Sequence, residues 1–108
     1  MKFTVLLTDD AVRDLEDIDD YISKHDSPQS ADTVLGKIEE TMLDLAKLPN
    51  RDTFPRELSS LGIREYREIF FKPYRIIYRV IDTHVYIYVI TDGRRDMQTL
   101  LGRRMLGT

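Results

Sequence analysis

The run from Arg64 to Asp96, R-E-Y-R-E-I-F-F-K-P-Y-R-I-I-Y-R-V-I-D-T-H-V-Y-I-Y-V-I-T-D-G-R-R-D, limits the possible folds more than any other stretch. Isoleucine, valine, tyrosine and phenylalanine dominate it, residues that suit a pleated, half-buried surface. Lys72-Pro73 and Asp82-Thr83 divide it at spacings that fit tight hairpin connections. Three consecutive antiparallel strands are therefore predicted. Alternation sorts the middle strand into two faces. Tyr74, Ile76, Tyr78 and Val80 form an apolar face, and Arg75, Ile77, Arg79 and Ile81 a mixed one. With Arg67 on the same parity and Arg94-Arg95 following the third strand, one side of the sheet is expected to carry a basic strip edged with tyrosine.

The preceding residues supply what the apolar face needs. Lys2 to Thr8 reads as a strand, and Thr8 or Asp9 can cap the helix that follows. Ala11, Leu15, Ile18 and Ile22 form its apolar stripe, with an acidic outer surface of Arg13, Asp14, Glu16, Asp17, Asp19 and Asp20. Ser27-Pro28 starts a second helix. Its stripe is Ala31, Val34, Leu35, Ile38, Met42 and Leu45, and Pro49 should stop it after Leu48. The resulting helical hairpin must bury its stripe, and the Ile76/Tyr78 face is the natural partner. Residues 49–63 read as an irregular crossing that touches the sheet near Glu57-Leu58. Asp96 can cap a tail helix with Met97, Leu100, Leu101 and Met105 apolar and Arg103-Arg104 outside. The fold class is α+β, ordered β-α-α-β-β-β with a short terminal helix, the hairpin packed on an antiparallel sheet. At 108 residues the chain makes one domain, 1–108.

Charge divides unevenly. Residues 1–50 carry five Lys and Arg against 12 Asp and Glu, whereas residues 51–108 carry 11 against seven. An arginine-rich sheet half suits phosphate or carboxylate recognition, or it neutralises the acidic half within one fold. The chain has no cysteine, which removes disulfides and thiolate metal sites. No apolar run approaches a membrane span, and the start lacks a signal-peptide pattern, so a cytoplasmic protein without membrane contact is expected. His25 and His84 have no metal or triad companions nearby, and the acidic helix lacks the spacing of a calcium loop. No metal and no cofactor are expected. What remains is Arg67, Lys72, Arg75, Arg79, Arg94 and Arg95 among Tyr66, Tyr74, Tyr78, Tyr86 and Tyr88. Such a set can bind phosphates and stack bases, cradle an acidic peptide, or (for most tyrosines) simply pack the core.

These residues also carry a resemblance. T-x-x-A-x-x-D-L-x-x-I-x-x-Y-I (Thr8 to Ile22), L-x-x-L-P (Leu45 to Pro49), Glu57-Leu58, G-I-R-E-Y-R, P-Y-R-I-I-Y-R-V and G-R-R-D occur in the order found in the RelE/ParE superfamily of bacterial toxins. The chain resembles that superfamily along nearly its whole length. The resemblance implies the toxin of a type II toxin–antitoxin pair, held in a hetero-oligomer by a cognate antitoxin. Acidic antitoxin groups are expected to meet Arg75, Arg79 and Arg95.

The superfamily resembles two kinds of protein. One cuts mRNA on the ribosome with lysines on the second strand, an arginine in the Y-R pair, another after the last strand and a tail tyrosine. The other poisons DNA gyrase. This chain has Arg75 and Arg95 at the two arginine positions, and Arg67 at one second-strand site. It has Ile69 where a second lysine would sit and Leu101 near the tail-tyrosine position. Arginine stays protonated at neutral pH and serves poorly as a base. The favoured expectation is therefore a gyrase-directed toxin, a non-enzyme, with a ribosome-dependent mRNA endonuclease using Arg67, Arg75 and Arg95 as the alternative. A bland interaction module is a third reading. For the tail, Met97, Leu100, Leu101, Arg103, Arg104 and Met105 are expected either to join the target surface or to form a structural lid.

Overall fold

A computed structural model describes residues 2–50 and 53–107, so part of the 49–63 crossing lies outside the described residues. Strand β1 (Thr4–Leu7) leads into helices α1 (Asp9–His25) and α2 (Pro28–Asp44). A short helix, α3 (Arg56–Ser59), precedes strands β2 (Tyr66–Phe71), β3 (Tyr74–Ile81) and β4 (His84–Asp92), and α4 (Met97–Leu106) ends the fold. The starts of the long helices follow local chemistry. Thr8 Oγ1 accepts from the Ala11 amide, Ser27 Oγ from Ser30 with Pro28 behind it, and Asp96 from Thr99. Helix α2 stops four residues earlier than proline alone predicts. From Leu45 to Lys47 each amide bonds the carbonyl three residues back, a tightened exit turn, and Ala46 then offers its carbonyl to Phe3.

The sheet order is β1-β4-β3-β2. Strands β2, β3 and β4 are antiparallel neighbours as predicted, but β1 joins β4 in parallel, so the sheet is mixed rather than wholly antiparallel. The α1–α2 hairpin between β1 and the rest makes this possible, since a parallel return needs a long crossover. Asp82, at φ 54°, turns the β3–β4 hairpin, a conformation that aspartate tolerates better than branched residues.

The hairpin packs on the predicted face. Ala11, Ile38, Met42 and Leu45 meet Ile69, Ile76, Tyr78, Val85, Ile87 and Ile90, with Leu15, Ile18, Val34 and Val80 at the margin. The Tyr78 hydroxyl donates to the Pro49 carbonyl at 2.6 Å, so its one polar atom is satisfied inside this core. The opposite face has a core of its own. Leu58 of α3 and Met97, Leu100 and Leu101 of α4 enclose Ile77 and Val89. Strand β4 serves both cores through a bulge. Ile77 pairs with Val89 and Tyr78 with Ile87, leaving Tyr88 extra. Alternation resets there, so Ile87 and Ile90 share one face while Val89 takes the other.

Candidate functional site

The mixed face of the sheet is where the predicted site residues fall, and the fold disposes of them one by one. Arg75 lies beneath α3. Its Nη1 and Nη2 donate to the two carboxylate oxygens of Glu57, each at 2.8 Å, and its Nε donates to Glu68 Oε1 at 2.8 Å. The side chains are 13%, 17% and 6% exposed for Arg75, Glu57 and Glu68, so this is a nearly buried triad with two acids on one base. The guanidinium is held charged by Glu57 above all, its pKa raised. Glu57, the fork partner, has its carboxyl pulled below the ordinary range by Arg75. Glu68 goes the other way, because burial raises it more than Arg75 lowers it. Gly93 makes room for the triad: a Cβ there would sit 2.8 Å from Arg75 Cδ.

Arg67 does not join Arg75. It is the cross-strand partner of Tyr78, which puts it on the hairpin side of the sheet, with its guanidinium 4.7 Å from the centre of the Phe54 ring. The parity shift comes from the two-residue turn at Lys72-Pro73, which pairs positions whose numbers differ in parity. Lys72 is exposed at that turn. Arg95 flanks Arg75 from the far side, donating weakly to Oγ1 of Thr91, the residue opposite Arg75 in β4. Arg94 folds onto Asp92 and lowers its carboxyl pKa. The three residues proposed for nuclease chemistry are thus split across the two faces of the sheet.

The tail is a cover over the sheet. Met97, Leu100 and Leu101 are buried in the second core, which takes Leu101 out of reach of any external partner. Arg103 points outward as expected. Arg104 does not: it reaches inward to Asp14 of α1, Nη2 to Oδ1 at 2.6 Å and Nη1 to Oδ2 at 3.1 Å. The same two groups bond the exposed edge of β4. Asp14 Oδ2 accepts from the Ile90 amide at 2.9 Å, and Arg104 Nη1 donates to the Tyr88 carbonyl at 3.2 Å. They stand where β1, ending opposite Ile87, leaves β4 unpaired. The sequence held a signal for Asp14, which falls on the apolar stripe at i+3 from Ala11 and i−4 from Ile18. For Arg104 it held none.

Beyond Asp14 a groove of about 450 Å³ opens between α1 and β4, with Ile18, Ile22, Tyr74 and Ile90 in its walls and Asp17, Arg94 and Arg95 at the rim. The described residues hold no cluster of acidic, histidine or cysteine groups able to bind a metal, and no helix long and apolar enough to cross a membrane.

This architecture, a helical hairpin and a terminal helix on either side of a four-stranded mixed sheet, is shared with several solved structures. Similar solved structures are the chromosomal ParDE toxin–antitoxin system from P. aeruginosa (TM-score 0.73, 19% identity, 84% of this chain and 96% of that one), and the toxin–antitoxin complex RelBE2 from Mycobacterium tuberculosis (0.61, 25%, 85% and 99%). A mutant of the E. coli toxin RelE in the free state is also similar (0.61, 16%, 93% and 93%). No curated protein matches in sequence. Residues 5–97 match the family model of the ParE toxin of type II toxin–antitoxin systems, parDE, and the chain belongs to that family.

Proposed function

We propose that this toxin acts by inhibiting DNA gyrase, without nuclease chemistry of its own, and that a cognate antitoxin neutralises it in the cytoplasm. The observation that carries this reading is the fate of Arg75. A nuclease arginine must face a scissile phosphate, but here Glu57 and Glu68 occupy its fork. Arg67 lies on the other face, and Ile69 and Leu101, both buried, offer no group to move a proton. A phosphodiester brought to Arg75 would have to displace two carboxylates from its guanidinium.

Purified chain added to gyrase in a supercoiling assay should inhibit it, and expression without antitoxin should stall division with a DNA-damage response. Ribosome-programmed translation extracts should show intact mRNA. Immediate arrest of protein synthesis with cut mRNA, and unimpaired supercoiling, would replace this proposal with the nuclease reading.

A further inference from the structure

The groove of about 450 Å³ between α1 and β4 runs along a piece of bare strand edge. Strand β1 ends opposite Ile87, so β4 continues past it with one side uncovered. The Ile90 amide points to that side, where it bonds Asp14, and alternation turns the Ile90 carbonyl and the Asp92 amide the same way. The edge is closed at both ends. Asp14 and Arg104 hold the Ile90 amide and the Tyr88 carbonyl, and the Arg95 amide takes the Asp92 carbonyl. One acceptor and one donor are left, the Ile90 carbonyl and the Asp92 amide, without a partner among the described residues.

Ile18, Ile22 and Tyr74 supply apolar walls beside this pair. The rim charges divide into matched and unmatched. Arg94 holds Asp92 and Arg104 holds Asp14. Asp17 on α1 and Arg95 after β4, both exposed, make no ion pair among the described residues, and Arg95 has only a long bond to Thr91. The groove therefore offers one carboxylate, one guanidinium, one backbone acceptor and one backbone donor around an apolar space. A strand from a partner needs a run of free amides and carbonyls, and this edge offers a single residue's worth. A nucleotide would bring its phosphate charge to a rim where one unmatched cation is offset by one unmatched acid.

We infer that this groove binds a free α-amino acid with an apolar side chain, such as leucine. Its ammonium donates to the Ile90 carbonyl and faces Asp17, and its carboxylate accepts from the Asp92 amide and faces Arg95. Its side chain enters between Ile18, Ile22 and Tyr74. The volume lies within the range of about 300–1,000 Å³ found for small-ligand pockets. The inference stands on the groove alone and is independent of the gyrase proposal.

The test is a titration of the isotope-labelled full chain followed by amide NMR. Leucine should shift the Asp92 amide saturably with a Kd of about 1 mM, as befits so few atoms. Leucinamide lacks the carboxylate, N-acetyl-leucine the ammonium and glycine the side chain, and each should bind more weakly. Asp17→Asn and Arg95→Gln should each raise Kd by about fivefold, as for one exposed ion pair, with native far-UV circular dichroism. Arg103→Gln, outside the groove, should leave Kd unchanged. An Asp92 amide that leucine does not move, or leucine binding indifferent to both rim variants, would overturn the site. Glycine binding as tightly as leucine would overturn the apolar specificity. N-acetyl-alanyl-alanyl-leucine binding more tightly than leucine would overturn the amino-acid site in favour of a strand from a partner protein.

Discussion

The two faces of the sheet are built by different means. The hairpin face is a largely apolar layer in which the fully buried Tyr78 hydroxyl is satisfied by the Pro49 carbonyl. The α4 face interleaves a smaller apolar core with ionic fixtures, the Glu57–Arg75–Glu68 triad and the Asp14–Arg104 pair. Burial of apolar area is non-directional and fixes that the face packs. Directional, charge-assisted bonds fix where α3 and α4 lie on it. The first face supplies stability and the second supplies placement.

The comparison breaks most visibly at Ile76. It is fully buried on the hairpin side, so Ile76→Asp should cost several kcal/mol, on the order of the whole folding free energy, and chemical denaturation should find the chain mostly unfolded. On the other face, Asp14→Ala leaves Arg104 and the Ile90 amide without their partner. Breaking a largely buried pair this way costs about 3 kcal/mol, and hydrogen exchange should show early opening of α4 and the end of β4. Replacing both by apolar groups, Asp14→Leu with Arg104→Met, should recover much of that loss, and failure to recover would show that the pair does more than satisfy itself.

The two glutamates sharpen the contrast further. Glu57→Gln loses a two-pronged charged bond and should destabilise by about 1–2 kcal/mol at neutral pH. Tyr78→Phe removes one buried neutral bond and should cost about 1 kcal/mol in a thermal melt. Glu68→Gln should be nearly neutral or stabilising at pH 7. The sign follows from the shifts. Glu57, lowered, contributes stability above its ordinary value of 4.5 that is lost as pH falls through its folded pKa. Glu68, raised, favours the fold at low pH and loses that contribution as pH rises through its folded pKa above 4.5. The two contributions therefore run in opposite directions with pH, and Glu68→Gln should steepen the loss on acidification. An unchanged acid profile would mean that the two carboxylates do not oppose each other.

The hairpin face was legible because alternation and helical periodicity are local. Ile76, Tyr78 and the α1 and α2 stripes could be assigned without knowing what they meet. The other face was not, since Glu57 and Arg75 are 18 residues apart and Asp14 and Arg104 are 90 apart. The expected basic strip dissolves for that reason: Arg75 is matched by acids that lie elsewhere in the chain. The two-residue turn shifts parity and puts Arg67 on the hairpin side, and the bulge at Tyr88 separates Val89 from Ile87. Of the expected strip, Arg79 lies between tyrosines with no ion pair among the described residues, and Arg95 stays exposed with only Thr91 as partner.

The way β4 is finished past Leu7 has a consequence for the protein in a crowded solution. A strand with free amides and carbonyls along its side is a template on which a second chain can stack and begin a fibre. Here the Ile90 amide and the Tyr88 carbonyl are already engaged by a carboxylate and a guanidinium, which offer an incoming strand charge and bulk in place of a ladder. One ion pair thus acts as a stopper against sheet-to-sheet growth. Chains lacking it should precipitate on standing at concentrations at which the intact protein stays clear.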